Sequence, residues 1–272
     1  MTLPALSLAQ LIALPLNPAQ LLRLAADTGC QAAGVRLLST TPGGVAYPLM
    51  DDPAGLREAL AVVADTGVGV FDLEVAGLTP QHRTADFLPF FDVGRRLGAR
   101  AVLVAGLDDD EARLIASYAA FCEAAAPFGL TCDLEFMPWT AVPNLRTAKR
   151  IVGAVRQPNA GVLVDALHFF RSDSRLDELD DLPREWLHYA QICDGPAQPP
   201  ATVEGLVHAA RHGRWLPGEG DLDLTGLFAR LPADLPVSIE VPNDERAQVL
   251  GHAAWAQQAV DAARRVLQQG VR

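Results

Sequence analysis

Lysine is all but missing from this 272-residue chain, where Lys149 is the sole example. It lies in the run Arg146-Thr-Ala-Lys149-Arg150, which reads as a solvated helix face. A Schiff-base enzyme needs a lysine held in an apolar pocket, so imine chemistry is excluded. Basic residues are scarce overall: 22 Lys and Arg stand against 33 Asp and Glu, giving a net charge of −11. A nucleic-acid backbone would be repelled by such a chain, so no nucleic-acid partner is expected. Cysteine is limited to Cys30, Cys122, Cys132 and Cys193, with no CxxC pair. Cys132 and Cys193 fall in strand-like runs, where buried cysteine acts as a small hydrophobe. The pattern points to a reduced, cytoplasmic protein. No apolar stretch approaches the ~20 residues that span a bilayer. Residues 1–10 lack a basic region, so a secretory leader is not expected either.

Half of the residues are hydrophobic, enough for one large core. Strand-like and helix-like stretches alternate from end to end. Strands are expected at residues 3–8, 32–37, 68–75, 100–105, 130–135, 160–165, 187–193 and 236–240. Helices are expected at 18–27, 53–65, 84–97, 108–125, 144–155, 222–231 and 245–267. Caps support them: Asn17 and Asp52 each precede a proline at the first helical position, and Gly67, Gly98 and Gly129 follow helix ends. Continuous apolar runs suit parallel strands buried on both faces. The expectation is an α/β chain folded as a (β/α)8 TIM barrel, one domain over residues 1–272. An open doubly wound sheet is the alternative, but it usually carries a glycine-rich phosphate turn after its first strand. Here Gly67-Val-Gly69 precedes a strand instead. Residues 194–220, bearing several prolines and glycines, read as a long loop over the C-terminal mouth.

Four of these strands carry a polar residue at or near their C-terminal end: Glu135, Asp165, Gln191 and Glu240. That end of a parallel strand opens into the mouth of a barrel, where such folds carry their chemistry. Burying a lone carboxylate costs several kcal/mol or shifts its pKa, so three at equivalent ends need a shared cation or buried arginines. Each taken alone also reads as a strand-end residue capping the next helix. Together, three carboxylates and an amide oxygen suit one hard divalent ion, Mg2+ or Mn2+, better than zinc. His168 lies three residues beyond Asp165, and Arg214 lies in the stretch Arg211-His-Gly-Arg214-Trp-Leu-Pro217. Both are candidate substrate-binding residues. Arg36 and Glu74, near the ends of two early strands, are expected to line the same pocket.

The runs Leu134-Glu135, Val162-Leu-Val-Asp165-Ala-Leu-His168, Gln191-Ile-Cys-Asp194, Arg214-Trp-Leu-Pro-Gly-Glu-Gly-Asp-Leu-Asp223 and Ser238-Ile-Glu240 resemble the sugar-phosphate isomerase/epimerase superfamily, the xylose-isomerase-like barrels. The likeness covers the second half of the chain by motif and the first half only by rhythm. It implies a metal held by Glu135, Asp165, Gln191 and Glu240, with Glu135 and Glu240 as the proton-transferring pair. The implied reaction is isomerisation or epimerisation of a small polyhydroxy carbonyl compound through an enediolate. Many sugar epimerases have histidine where this chain has Gln191. The segments around Gln191 and Arg214 also resemble 3-dehydroshikimate dehydratases, which makes a dehydrating lyase the alternative. The superfamily's abasic-site endonucleases resemble a histidine-rich three-metal site, and the six histidines here do not occupy those strand ends. A barrel that binds a ligand without turning it over is a further reading. No membrane partner is expected, and the oligomeric state, a homo-oligomer included, is left open.

Overall fold

The computed structural model describes residues 3–39, 41 and 43–270. Eight parallel strands close on themselves in sequence order: β1 (Leu6–Leu8), β2 (Ala32–Arg36), β3 (Gly69–Leu78), β4 (Ala101–Gly106), β5 (Thr131–Glu135), β6 (Ala160–Asp165), β7 (Ala190–Ile192) and β8 (Val237–Ile239). The ladder from β8 back to β1 pairs Ser238 with Ser7, which completes the closed (β/α)8 barrel. Around it run α1 (Pro18–Asp27), α2 (Pro53–Thr66), α3 (Leu88–Leu97), α4 (Glu111–Ala125), α5 (Leu145–Val155), α6 (Ala166–Arg171), α7 (Val203–His212), α8 (Leu224–Phe228), α9 (Asp244–Leu250) and α10 (His252–Gly270).

Local chemistry sets these boundaries. Asn17 and Gln20 form a reciprocal capping box at the start of α1, with Pro18 at its first position. Asp52 accepts from the amides of Ala54 and Gly55 to open α2. Strand alternation then sorts the side chains between two faces. Val102, Val104, Cys132, Leu134, Val162, Val164, Ala190, Ile192, Val237 and Ile239 join the large core between strands and helices. Their neighbours Leu103, Leu163 and Tyr189 form a smaller cluster on the inner face. By the same alternation Glu135, Asp165, Gln191 and Glu240 stand on the inner face, toward the C-terminal ends of their strands.

Three expectations change in detail. The segment 194–220 is not all loop, because α7 forms within it, opened by the Thr202 side chain accepting from Gly205. Residues 245–267 are not one helix. Gly251, at φ 80°, ends α9, and α10 starts at His252. An L side chain rarely adopts that φ, so the break lies in the backbone itself. The expected helix 84–97 starts as a 3-10 turn, Thr84–Phe87, before α3. Among the described residues no helix is long and apolar enough to cross a membrane.

Candidate functional site

The alternation that builds the barrel brings Glu135, Asp165 and Glu240 together at its mouth. One carboxylate oxygen from each lies within 4.8 Å of the others, and all three residues are buried. Asp165 and Gln191 are register partners across β6 and β7. Gln191 is fully buried, yet among the described residues neither its amide oxygen nor its amide nitrogen has a hydrogen-bond partner. A buried, unsatisfied amide costs on the order of 1–3 kcal/mol unless something occupies it. Asp165 also caps α6, its Oδ1 accepting from the His168 amide at 2.9 Å. Asp165 therefore caps α6 with one oxygen and also belongs to the carboxylate cluster.

Arg214 does not stand free: it lines the mouth while tied into the carboxylate cluster. Its Nη1 meets Asp165 Oδ2 at 2.6 Å and its Nη2 meets Glu240 Oε2 at 2.8 Å, while Nε donates to the Ala210 carbonyl. The buried arginine expected as an alternative to a cation is thus present as well. One guanidinium against three carboxylates leaves two negative charges uncompensated, which matches a divalent cation. Three carboxylate donors beside an unpartnered amide oxygen fit such an ion chemically.

Protonation follows this crowding. Burial, then the adjacent Asp165 and Glu240 carboxylates, push Glu135 well above the usual carboxylate range. Burial pushes Glu240 up to about 7, partly offset by Arg214 and reinforced by Asp165. Burial would raise Asp165 too, but Arg214 and His168 outweigh it and hold that carboxyl below its ordinary value. His168, buried with its ring 5.1 Å from that of Trp139, is pushed down to about 4 by burial and is neutral at pH 7. Its Nε2 lies 3.7 Å from Glu135 Oε1, and its Nδ1 has no partner among the described residues.

Without metal, protons therefore take the place of cationic charge. Raised carboxylate pKa values stabilise the metal-free fold below the ordinary carboxylate range, and that contribution is lost as pH rises through the folded-state values. A cation must displace those protons. Its affinity should rise with pH up to about 7, by up to about tenfold per pH unit for each proton displaced. Calorimetric titration with Mn2+ at pH 6, 7 and 8 measures this; flat affinity over that range would contradict the assignment.

A cavity of about 380 Å³ opens above these groups, lined by Glu135, His168, Arg214, Glu240, Trp139 and Arg211 among others. Arg36 lines it as expected. Glu74 does not, being fully buried, with Oε2 held by Arg36 at 3.0 Å and Oε1 by the Gln10 amide at 2.9 Å. Trp139 and Arg211 were not expected as lining residues. Trp139 carries no motif, and Arg211 reaches the cavity only because α7 forms.

Asp194 organises the segment that delivers Arg211 and Arg214. Fully buried, it accepts from the backbone amides of Gly195, Gly218, Gly220 and Leu222 at 2.8, 2.9, 3.1 and 3.2 Å. A β-carbon on Gly220 would collide with the Gly195 carbonyl and with Asp194 itself, which explains glycine there. Asp194→Asn keeps the size but removes charge and acceptor capacity. It should lower stability by about 2–3 kcal/mol, read from urea unfolding; unchanged stability would show that the loop does not depend on this carboxylate.

Comparison with known proteins agrees with this architecture. A family model described as xylose isomerase-like TIM barrel matches residues 22–268. A 3-dehydroshikimate dehydratase of Pseudomonas aeruginosa is 31% identical over 163 residues, covering 57% of this chain and 25% of that protein. The chain thus spans about a quarter of the length of that curated relative. The IOLI protein, solved with a zinc atom, superposes with a TM-score of 0.80 at 19% identity, covering 97% of this chain and 98% of the other. D-allulose 3-epimerase from Methylomonas sp., solved with D-allulose, gives 0.70 at 15% identity, covering 97% and 98%. At those identities the two structures speak for the fold alone.

Proposed function

Since the chain belongs to the xylose isomerase-like TIM barrel family, we propose that it is a divalent-metal-dependent isomerase or epimerase that moves a proton beside the carbonyl of a small polyhydroxy compound. The observation that carries this reading is the buried triad Glu135, Asp165 and Glu240 beside the unpartnered amide of Gln191. These four residues would hold Mg2+ or Mn2+, and the amide in place of imidazole makes the donor set all oxygen. When bound, the ion supplies Lewis-acid polarisation of the substrate carbonyl.

The chain's own residues do the rest. Glu135 and Glu240 descend from β5 and β8, strands not adjacent in the barrel, so their carboxylates approach a substrate from different sides. One takes the proton from the carbon beside the carbonyl, and the other returns one to the opposite face or to the neighbouring carbon. Arg214 fixes Asp165 and Glu240 by its two ion pairs and presents fixed positive charge to the oxygen that gains charge. Neutral His168, braced by Trp139, offers a ring nitrogen to a substrate hydroxyl without adding charge. Four buried free cysteines fit a reducing, cytoplasmic setting.

The second reading, loss of a β-hydroxyl as water, is supported by the name of the Pseudomonas aeruginosa relative. Proton removal is common to both, so the products decide. Mn2+-reconstituted protein incubated with ketoses, aldoses and 3-dehydroshikimate, followed by proton NMR, should yield an epimer or an aldose–ketose pair from a sugar. A dehydrated product from 3-dehydroshikimate selects the lyase; no product from any member of the panel counts against both.

A further inference from the structure

Arg211 stands out among the arginines. It lies on α7, half-buried, and no carboxylate or hydrogen-bond acceptor partners it among the described residues. The other arginines without an acidic partner there are exposed, apart from Arg171, which donates to the Pro196 carbonyl. Half-burying an uncompensated guanidinium is costly, particularly in a chain with 33 acidic residues to draw on. Arg36 faces the same space. It is 8% exposed, spends Nη2 on Glu74, and its Nε has no partner among the described residues. The two are close enough that, after burial, the Arg36 charge is what pushes Arg211 below its ordinary pKa.

Their position gives the pair its meaning. Both line the cavity that holds Glu135, His168 and Glu240. Both also line an adjoining cavity of about 560 Å³, so they stand where the two spaces meet. Two like charges turned into one solvent-filled space repel until an anion enters between them, and guanidinium groups match carboxylate and phosphate oxygens in pairs.

We propose that Arg36 and Arg211 form a subsite for an anionic group, a carboxylate or a phosphate, so that the substrate is an acid or a phosphate ester rather than a neutral sugar. The inference rests on the proton-transfer reading of the site, because it assigns that reaction a substrate class. Glu74 keeps Arg36 in place beneath the anion, and Arg211 supplies a charge that no acidic group balances among the described residues.

Calorimetry on the Mn2+-reconstituted protein tests it with two matched pairs: shikimate against its methyl ester, and D-fructose 6-phosphate against D-fructose. The charged member of at least one pair should bind about tenfold tighter or more. Arg211→Gln should abolish that preference while leaving the uncharged member and Mn2+ binding unchanged, and Arg211→Lys should restore part of it. The pair that shows the preference identifies carboxylate or phosphate as the group. The proposal is overturned if neither pair shows it, whether both members bind alike or neither binds, or if Arg211→Gln retains it. Preference without proton transfer in the product assay leaves the subsite standing and removes the reaction; proton transfer without preference does the reverse.

Discussion

Replacing Glu135 by glutamine should slow proton exchange at the carbon beside the substrate carbonyl by about 10²–10⁴-fold, the usual contribution of a general acid–base group. Glutamine keeps an oxygen donor toward the cation and removes the proton-accepting function. The two effects separate if the variant is assayed at saturating Mn2+ and its metal content is measured in the same sample. A variant that holds metal and exchanges at the wild-type rate would remove Glu135 from the chemistry. A variant that loses metal and recovers its rate at higher Mn2+ would make Glu135 a ligand alone.

Glu240→Gln should act first on the metal. The three-carboxylate cluster then retains Asp165 and Glu135, with Arg214 still paired to Asp165 at 2.6 Å. The charge left for a divalent ion drops by one unit. Removing one member of a buried charge set costs about 3–5 kcal/mol, so Mn2+ affinity should fall by about two to four orders of magnitude. Titration calorimetry reads this directly. Affinity within a factor of a few of wild type would place the cation elsewhere, or leave Arg214 as the cluster's only counter-charge.

The barrel was legible because most of its strands are short apolar runs bounded by helix-ending and helix-starting residues. The three-residue β1, β7 and β8 were legible by alternation instead, each setting one polar residue (Ser7, Gln191, Ser238) between two apolar ones. The placement of Glu135, Asp165, Gln191 and Glu240 was legible for a related reason. Alternation assigns each to the inner face once its strand is known, and closure of the barrel brings the three carboxylates together, with Gln191 beside Asp165 in the register.

What stayed hidden depends on distances and on weak local signals. The prolines and glycine before Thr202 suggested loop, and they masked the apolar spacing of Val203, Leu206, Val207 and Ala210 that makes α7. Arg211 was lost with that helix. Arg214 was recognised as a site residue, but no spacing could reveal that its two nitrogens would reach Asp165 and Glu240 from a loop 49 residues beyond Asp165. Glu74 and Arg36 look equivalent in sequence. Only packing shows that Glu74 lies beneath and holds Arg36, and that Arg36 alone meets the cavity.

The central claim is metal-dependent proton transfer by Glu135 and Glu240, and solvent exchange tests it most directly. The metal-free and Mn2+-reconstituted proteins, incubated in deuterated water with a substrate identified by the product assay, should differ sharply. Deuterium should enter at the carbon beside the carbonyl only when Mn2+ is present, and Glu135→Gln at saturating Mn2+ should suppress it. Turnover of that substrate with no deuterium at that carbon, or with equal incorporation after complete metal removal, would contradict the account.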